Sequence, residues 1–539
     1  MLNNAVGGIL AANLISMLPV GAQEASQYGL GDAYISVSEE QAFLNQYGVS
    51  IDDSIFEGAD GSASLPSSID LSTSPYFPVI GNQGSIQSCV SWATTYYQFT
   101  YEAHKLNNVI TTNDNTFSPT WTFNLTNGGQ NVASFYTDAY NVLINQGALT
   151  MDDMPYNSFN YDYSWSTDTD AMINALNTRV SSIGHIGILT SGATITSNQD
   201  ADLFLVKEVL NSGKVLMVRG AASSLLMNWS YKNRYGKSNE YVAYRASYDS
   251  GGHAMTIVGY DDNVCCDVNG NGKIEASERG AFKMVNSYGP NWKNGGSVWV
   301  LYDALNKVSA NTTNDWEDNE IGQRVPIFQR NDELGNSFYF MNVQNCEVGL
   351  VGILSLNTSY RNKLSTSIFR NSTDEYNSSS SIDFYNDKYS KYKSLIDIST
   401  PFNGILVQDY GDLDKPLNIC SSGYYYGIKV NNNVSKVNAT INNISYKIVD
   451  NLSNTIIDFD GLSTLTNGTS KIFSKKVQMQ KGDVNYDGVI TTDDIEYLTQ
   501  YILQVNKLSN VQYYLADCNN DGHVDVTDII VLRKDNNLY

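Results

Sequence analysis

The spacing of apolar and polar positions changes along the chain. In CVSWATTYYQFTYEAHKL, apolar or aromatic side chains recur at helical spacing, for example Val90, Ala93 and Tyr97. HAMTIVGY and GAFKMVNS are short, rich in β-branched residues and bounded by glycine, so they predict strands. Helical and strand-like patterns therefore alternate across residues 65–325, which predicts an α+β region there.

The second half of the chain has another pattern. Short strand-like runs (SFYFMNV, VGLVGILSL, NGILVQDY, YYYGIKV and ISYKIVD) are separated by Asn, Ser and Gly clusters. This spacing is typical of an antiparallel β-sandwich, which we predict for residues 326–475. A repeated acidic motif follows, and it predicts a small helical module at 476–539.

The two amino-terminal segments are predicted to be an export signal and a pro-segment or linker. Residues 1–25 hold an apolar run too short to span a bilayer, which predicts an export signal, although no Lys or Arg precedes it. No second run of membrane length follows, so no membrane span is expected. Residues 26–64 are acidic and interrupted by Gly and Ser, which indicates a pro-segment or a linker.

Composition narrows the class of partner. The chain has 539 residues, with 33 Lys and Arg against 56 Asp and Glu, and its net charge is −23. Nucleic acid is not expected as a partner, because phosphate is held by an excess of Lys and Arg. The six cysteines do not form a disulfide scaffold in a chain of this length, although Cys346 and Cys420 could pair within one domain.

GNQGSIQSCVSWA contains a candidate nucleophile. Cys89 stands where the predicted helix begins, and the partial positive charge of a helix N-terminus lowers the pKa of a thiol. The alternative is a buried structural thiol. A nucleophilic thiol also needs a base and donors for the oxyanion that follows attack.

The four histidines differ in their surroundings. His104 is expected on a solvated helix face, His185 lies in a Gly/Ile run, and His523 falls within an acidic loop. His253 begins a strand after two glycines, where an imidazole could project into a cleft. Asn286, at the end of GAFKMVNS, offers a carboxamide that could orient this ring.

In chain order, Gln83, Cys89, His253 and Asn286 and their surrounding stretches resemble the papain family of cysteine proteases. NSYGPNWKNGG is similar to the Asn-Ser-Trp-Gly segment of that family, and LNSGKVLMVRGAA resembles the strand before its histidine. The resemblance implies a two-lobed catalytic domain in which Cys89 is the nucleophile, His253 the general base and acid, and Asn286 the orienting residue. It also implies that the Gln83 side chain and the Cys89 N–H form the oxyanion hole.

The acidic repeat has the oxygen-donor spacing of EF-hand calcium loops. Loop one offers Asp483, Asn485, Asp487, the Val489 carbonyl, Thr491 and Asp494. Loop two offers Asp517, Asn519, Asp521, the His523 carbonyl, Asp525 and Asp528. Each loop has a turn glycine and is followed by an apolar helical run.

This repeat resembles a type I dockerin, the module that attaches an enzyme to a cohesin on a scaffold protein. The resemblance implies two calcium ions, a cohesin partner and a cellulosome-type complex. The residues that it implies at the cohesin interface are Thr492, Asp493, Val526 and Thr527.

DVNGNGKIEASE, between the candidate histidine and asparagine, has the same spacing. Its donors would be Asp267, Asn269, Asn271, the Lys273 carbonyl, Glu275 and Glu278. We interpret this segment as a third calcium loop, and a polar surface turn is the alternative.

The sequence therefore predicts a secreted cysteine endopeptidase of papain type, tethered by its dockerin to a cohesin-bearing scaffold. One alternative is a catalytically silent papain-fold subunit that binds or inhibits within the same complex. Another is transfer of the acyl group to an amine, as in transglutaminases. The substrate, the activation route and the role of the β-sandwich stay open.

Overall fold

The computed structural model describes much of the chain from residue 30 onwards. The described residues are 30–33, 35–49, 65–187, 200–221, 230–232, 240–243, 252–267, 273–305, 316–318, 324–326, 338–358, 364–376, 378, 381–386, 402–410, 423–432, 441–450, 452, 454–459, 464–466 and 468–538. The predicted export signal and Cys420 lie outside them. The chain divides into two compact units, the first drawn from 1–144, 148–163 and 180–344 and the second from 145–147, 164–179 and 345–539.

Helices occur in both units. In chain order they are α1 Val37–Tyr47, α2 Cys89–Ser91, a π-helix Trp92–Phe99, α3 Thr100–Asn107, α4 Pro119–Thr126, α5 Tyr136–Gln146, α6 Thr169–Ala175, α7 Asp200–Asn211, α8 Tyr302–Leu305, α9 Thr492–Ile502, α10 Asn510–Ala516 and α11 Val526–Asn536. Two 3₁₀ turns cover Leu71–Thr73 and Ala276–Glu278. No helix in the described part of the chain is long and apolar enough to cross a bilayer.

Strands account for most of the remaining regular structure. They are β1 Gly48–Val49, β2 Ser68–Asp70, β3 Thr178–Ile186, β4 Leu216–Ala221, β5 Ser230–Lys232, β6 Tyr241–Ala243, β7 Gly252–Cys265, β8 Arg279–Val285, β9 Ser297–Leu301, β10 Trp316–Asp318, β11 Arg324–Pro326, β12 Phe338–Asn345, β13 Leu350–Thr358, β14 Leu364–Asn371, β15 Ser381–Asn386, β16 Phe402–Asp409, β17 Tyr424–Asn432, β18 Ile441–Asp450, β19 Thr455–Phe459 and β20 Ser470–Val477.

One mixed sheet organises the first unit. Among the described residues its order is β1-β3-β12-β4-β7-β8-β9-β6-β5, and β2 pairs with β7. The antiparallel pairing of β4 with β7 sets Arg219 opposite Ala254 and Gly220 opposite His253. Both predicted strands, HAMTIVGY and GAFKMVNS, are confirmed as parts of β7 and β8. Helices and a mixed sheet in this unit agree with the α+β prediction.

The helical run from Cys89 to Asn107 packs its aromatic side chains against this sheet. Trp92, Tyr96, Tyr97 and Tyr101 lie in one buried cluster with sheet residues that include Val258 and Val285. The predicted helical run is thus confirmed, but residues 88–104 are all buried, so the apolar positions do not form a one-sided stripe. Its middle part is a π-helix, a wider turn that is rare and is frequently found at functional sites.

The end of this run differs from the sequence prediction. His104 is buried, and its Nδ1 lies 2.7 Å from Thr111 Oγ1. Its ring also contacts the ring of Phe117 at a centroid distance of 5.6 Å. The prediction of a solvated face was wrong, because the chain after the helix folds back over this ring, and helical spacing carries no information about such a return.

Strand β12 contains the stretch SFYFMNV, which the sequence analysis assigned to the β-sandwich. Its backbone pairs with β4, with Phe338 opposite Val218, so it belongs to the sheet of the first unit. The later predicted strands form two four-stranded antiparallel sheets, ordered β16-β13-β18-β19 and β15-β14-β17-β20. Rings of Phe459 and Phe473 meet between these two sheets, as expected for a sandwich.

The last three helices share a small core. Val484, Ile495, Leu498, Ala516 and Leu532 are its buried residues. A cluster of this size buries little apolar surface, so this module depends on another source of stability.

Candidate active site

Cys89 lies in the first turn of its helix and is fully buried. The first N–H groups of a helix have no partner within it and carry partial positive charge, which favours a thiolate. Backbone N–H groups of Ala254, Gly31 and Val90 surround the sulfur. Ala254 directly follows His253, so the head of the helix and the beginning of β7 meet at this sulfur.

His253 and Asn286 form a buried hydrogen-bonded pair, with Nε2 and Oδ1 2.7 Å apart. The same Oδ1 accepts the backbone N–H of Ser287 at 2.8 Å, which identifies it as the carboxamide oxygen. Because this oxygen only accepts, Nε2 carries the proton, and Nδ1 is the basic nitrogen of the neutral ring. His253 Nδ1 is buried and has no hydrogen-bond partner among the described residues.

Gln83 is held in one orientation by its neighbours. Its Nε2 donates to the Ile86 carbonyl at 2.7 Å, and its Oε1 accepts from Ser287 Oγ at 2.5 Å. The Gln83 backbone N–H also donates to the Ser287 carbonyl at 2.8 Å. Since Ser287 also donates to Asn286, one residue connects the oxyanion-hole candidate to the orienting asparagine.

Two aromatic rings cover the His–Asn pair. The ring centroid of Tyr288 lies 4.9 Å from that of His253, and Trp292 meets Tyr288 edge-on at 5.9 Å. Both rings are buried. Hydrogen bonds are electrostatically stronger where water is excluded, so this cover strengthens the bond that orients the imidazole.

A short extended segment lies over the candidate nucleophile. We call residues 30–33 the cleft segment. Gly31 N–H donates to Cys89 Sγ at 3.3 Å. A Cβ at Gly31 would lie 1.9 Å from the Gln87 carbonyl oxygen, so only glycine allows so close an approach.

Backbone hydrogen bonds hold the cleft segment on both sides. Ala33 N–H donates to the Ser134 carbonyl at 3.0 Å, and Ser134 N–H donates to the Gly31 carbonyl at 3.0 Å. On the other side, Asp32 N–H donates to the Gly252 carbonyl at 3.2 Å. Main-chain pairing of this kind is a common way for an extended peptide to bind. The predicted pro-segment or linker at 26–64 therefore contains residues that pair with both walls of the site.

The Asp32 side chain enters a pocket that contains Arg219. Arg219 Nε lies 3.0 and 2.9 Å from the two carboxylate oxygens, and Nη2 donates to the Ala33 carbonyl at 3.0 Å. The two side chains are only 5% and 1% exposed. Burial would lower the pKa of Arg219, but the Asp32 carboxylate more than offsets this and keeps the guanidinium charged.

A second carboxylate reaches the same region from α1. The hydroxyls of Tyr136 and Tyr339 both donate to Glu40 Oε1. The Tyr136 ring also lies under the Arg219 guanidinium, 4.6 Å from centroid to carbon. The amino-terminal residues thus present two buried carboxylates, those of Asp32 and Glu40, to this side of the cleft.

Burial sets the protonation of the candidate pair in this closed arrangement. Burial raises the pKa of Cys89 to about 12, the Asp32 carboxylate adds to this effect, and the surrounding N–H groups oppose it. Burial lowers the pKa of His253 to about 4, although the hydrogen bond to Asn286 opposes this shift. Near neutral pH the site therefore holds a neutral thiol and a neutral imidazole.

The two carboxyl-terminal acidic loops have the same hydrogen-bonded conformation. Asp494 Oδ2 accepts the Thr491 N–H at 2.8 Å, and Asp528 Oδ2 accepts the Asp525 N–H at 2.9 Å. The turn glycine of each loop has a positive φ, 85° in loop one and 84° in loop two. The predicted repeat is therefore also a structural repeat.

Loop one contains a buried oxygen that lacks a hydrogen bond. Asp483 Oδ1 has no partner among the described residues. Burial raises the pKa of Asp483, a backbone hydrogen bond opposes the shift, and the carboxylates of Asp494 and Asp487 add to it. In the described part of the chain no three His, Cys, Asp or Glu side chains converge as a metal cluster. The donor types and the orphaned oxygen nonetheless fit a hard cation such as calcium.

The interior loop, residues 267–278, has one hydrogen bond in common with the two carboxyl-terminal loops. Glu278 Oε2 accepts the Glu275 N–H at 3.0 Å, as the last carboxylate does in each carboxyl-terminal loop. Asp267 and Glu278 are buried. Asn269 and Asn271 lie outside the described residues, so a third calcium loop stays a prediction.

Comparisons with known proteins identify the carboxyl-terminal module. Residues 481–535 match the family model of the dockerin type I domain. This module is a type I dockerin. The four residues predicted to face cohesin are all exposed on the dockerin surface: Thr492, Asp493, Val526 and Thr527.

The chain is also similar to solved structures of cysteine proteases. Xylellain from Xylella fastidiosa is 17% identical over 59% of this chain and 96% of that one, with a TM-score of 0.36. Procathepsin B S9 from Trypanosoma congolense is 13% identical over 60% and 89%, with a TM-score of 0.34. Digestive procathepsin L2 from Tenebrio molitor is 16% identical over 59% and 85%, with a TM-score of 0.33. No curated protein matches the chain.

Sequence reasoning missed Arg219 and Asp32. The signal for Arg219 was a single charged residue inside the apolar strand KVLMVRGAA. A charged side chain at such a position is buried only when it is paired, so it indicates a partner. Nothing in the sequence of the cleft segment identified that partner.

Proposed function

We propose that this chain is a secreted cysteine endopeptidase that its dockerin tethers to a cohesin-bearing scaffold. The observation that carries the proposal is the buried His253–Asn286 hydrogen bond beside Cys89 at the head of a helix. Nucleophile, base and orienting group are the parts that acyl-transfer chemistry at a thiol requires. The resemblance of the sequence to papain-like proteases supports the same assignment.

In the proposed mechanism, the Cys89 thiol transfers its proton to His253 Nδ1, and the thiolate attacks the carbonyl carbon of the peptide bond. The Cys89 N–H and the Gln83 carboxamide stabilise the oxyanion. The imidazolium then protonates the leaving amine, and a thioester remains on the sulfur. Water, deprotonated by His253, attacks the thioester, which releases the acid and restores the thiol.

Asn286 would act by orienting the ring. Its oxygen holds Nε2–H, so Nδ1 is the nitrogen available for the thiol proton. The aromatic cover of Tyr288 keeps this bond dry. Both residues are therefore positioning residues and do not touch the reacting atoms.

We further infer that the closed arrangement is a latent form and that the cleft segment belongs to a pro-segment. Cys89 has no exposed surface while Gly31 donates to its sulfur. A neutral thiol with a pKa of about 12 is a poor nucleophile. Activity therefore requires that residues 30–33 leave the cleft.

Calcium would serve the dockerin by completing a module with a small core. The oxygen donors of loops one and two would hold the ions, and binding energy would add directly to folding energy. The interior loop would hold a third calcium ion. The dockerin would tether the chain to a cellulosome-type extracellular scaffold.

Cys89→Ala tests the catalytic assignment. The full chain, with its cleft opened by Gly31→Leu/Asp32→Ala, should hydrolyse a denatured protein such as casein. This hydrolysis should disappear when Cys89→Ala is added, and Cys518→Ala is the matched thiol control. A thiol-directed epoxide should label Cys89 in the same preparation. Undiminished hydrolysis in Cys89→Ala would refute the assignment. No hydrolysis together with no labelling would instead favour a silent binding subunit.

Adding a primary amine to the digest tests the transferase alternative. A peptidase yields mainly free acids, whereas a transferase would yield amides as the main product.

A further inference from the structure

The cleft contains a positively charged pocket, formed by Arg219, and a carboxylate side chain enters it. The bound residue is Asp32, and its two carboxylate oxygens both lie within 3.0 Å of Arg219 Nε. Arg219 is on β4, opposite Ala254, and Ala254 N–H faces the sulfur of Cys89. The guanidinium therefore belongs to the wall of the candidate active site.

The partners of Arg219 come from the amino-terminal residues. Among the described residues its ion-pair partner is Asp32, and its remaining polar contact is the Ala33 carbonyl. Its other neighbours include the ring of Tyr136, which belongs to the cleft wall, and Tyr339. When the cleft segment leaves, Arg219 loses both the carboxylate and the carbonyl.

A guanidinium that has lost its partner in the cleft has a strong preference for a new carboxylate. Paired and hydrogen-bonded charges are tolerated in such a site, whereas an unpaired buried charge is costly. Guanidinium groups also form charge-assisted hydrogen bonds with carboxylates that neutral side chains cannot match. Because the Glu40 carboxylate is already bonded to the hydroxyls of Tyr136 and Tyr339, the next carboxylate to reach the guanidinium would be one on the substrate.

The position of the pocket relates it to the scissile bond. Gly31 N–H contacts the sulfur, and Asp32 is the next residue along the chain. The backbone of Asp32 pairs with Gly252, where a Cβ would lie 2.9 Å from the Asp32 carboxylate. The pocket is thus one residue away from the point of attack, and Gly252 leaves room for the acidic side chain.

We propose that Arg219 determines specificity by binding an Asp or Glu side chain of the substrate within two residues of the scissile bond. The inference rests on the proposed peptidase function and adds the substrate class, acidic peptides. In the latent form the same guanidinium binds the side chain of Asp32.

The test uses the full chain, calcium-loaded, with the cleft opened by Gly31→Leu/Asp32→Ala. The leucine cannot fit against the Gln87 carbonyl, and the alanine removes the resident carboxylate. The chain is given a peptide library, and matched peptides with Asp or Asn at the selected position are then compared by kcat/KM. We expect the Asp peptide to be preferred roughly 10- to 100-fold, because the site pairs a charge that Asn lacks.

Variants at Arg219 identify the source of the preference. Arg219→Glu should lose the acidic preference and favour Lys or Arg, and Arg219→Lys should keep a weaker acidic preference. Arg179→Gln is the matched control, since Arg179 forms another largely buried ion pair, with Asp409 in the second unit, and it should leave the ratio unchanged. The ratio between Asp and Asn peptides needs no substitution of Arg219, so it remains informative if a variant fails to fold.

Cleavage without any acidic preference, or a preference that survives in Arg219→Glu, would overturn the inference and leave the peptidase assignment intact. Cleavage of no library peptide would overturn the peptidase assignment, and this inference with it.

Discussion

Removing the Asp32 carboxylate should open the latent site. In Asp32→Ala the Arg219 guanidinium stays buried but loses the two oxygens that lie 3.0 and 2.9 Å from its Nε. Removing one partner of a buried ion pair costs about 3–5 kcal/mol, because the remaining charge is uncompensated. That cost falls on the closed state alone, since in the open state Arg219 is separated from residue 32 in both proteins.

This difference predicts the size of the effect. Since about 1.4 kcal/mol corresponds to a factor of ten, the open fraction should rise roughly a hundredfold to a few thousandfold, until opening is complete. The assay is the rate at which a small thiol reagent alkylates Cys89 in the folded full chain at fixed pH, with the adduct located by mass spectrometry. While closing is faster than labelling, this rate is proportional to the open fraction.

Asp70→Ala is the matched control. Asp70 forms an ion pair with Lys283 at 2.7 Å in the same unit, but the two side chains are 35% and 21% exposed. Exposed pairs contribute about 0–1 kcal/mol, so alkylation of Cys89 should change by less than about fivefold. Equal alkylation rates in Asp32→Ala and the unsubstituted chain would refute the reasoning, because the ion pair would then not hold the segment.

Three further predictions concern the site and the dockerin. In the opened chain, Asn286→Ala should lower kcat by roughly 100-fold with little change in KM, because the imidazole loses the acceptor for Nε2–H. Asn107→Ala is the control. An unchanged kcat in Asn286→Ala would contradict the positioning role. The pKa of His253 is about 4 in the closed fold and 6.5 ordinarily, so below pH 6.5 the unfolded chain binds a proton that the folded chain does not. The free energy of unfolding should therefore be highest above pH 6.5 and fall by about 3 kcal/mol as the pH drops to 4. Thermal unfolding of Cys89→Ala should therefore weaken more over this range than that of Cys89→Ala/His253→Gln, and parallel pH profiles would count against the shift. Calcium chelation should unfold residues 481–535 and abolish cohesin binding, and Asp483→Ala should do the same, whereas the control Asp535→Ala should not. Limited proteolysis measures the unfolding and a pull-down measures the binding. Cohesin binding that resists the chelator would contradict the calcium assignment.

The order of residues in the sequence was enough to predict much of the candidate site. Cys89 was identified from its place at a helix start, His253 from the beginning of a strand and Asn286 from its place after another, and the resemblance to papain-like proteases assigned their roles. In the structure the imidazole of His253 is hydrogen-bonded to the carboxamide oxygen of Asn286, as expected. This hydrogen bond fits the roles predicted for His253 and Asn286, and the catalytic assignment itself stays a prediction.

The parts that were missed depend on contacts between distant segments. Arg219 and Asp32 are 187 residues apart in the chain, and no local pattern relates them. The burial of His104 and the pairing of β12 with β4 likewise depend on a later segment that returns to the first sheet. Spacing along the sequence predicts which face of an element is apolar, but not which segment covers that face.

The central claim is that the sulfur of Cys89 and the imidazole of His253 work as one unit once the cleft is open. The most direct measurement is the rate of Cys89 alkylation against pH in Gly31→Leu/Asp32→Ala, with and without His253→Ala. The account predicts fast alkylation well below the ordinary cysteine pKa of about 8.5, and loss of that reactivity in His253→Ala. Rates that rise only near pH 8.5 in both proteins would contradict it.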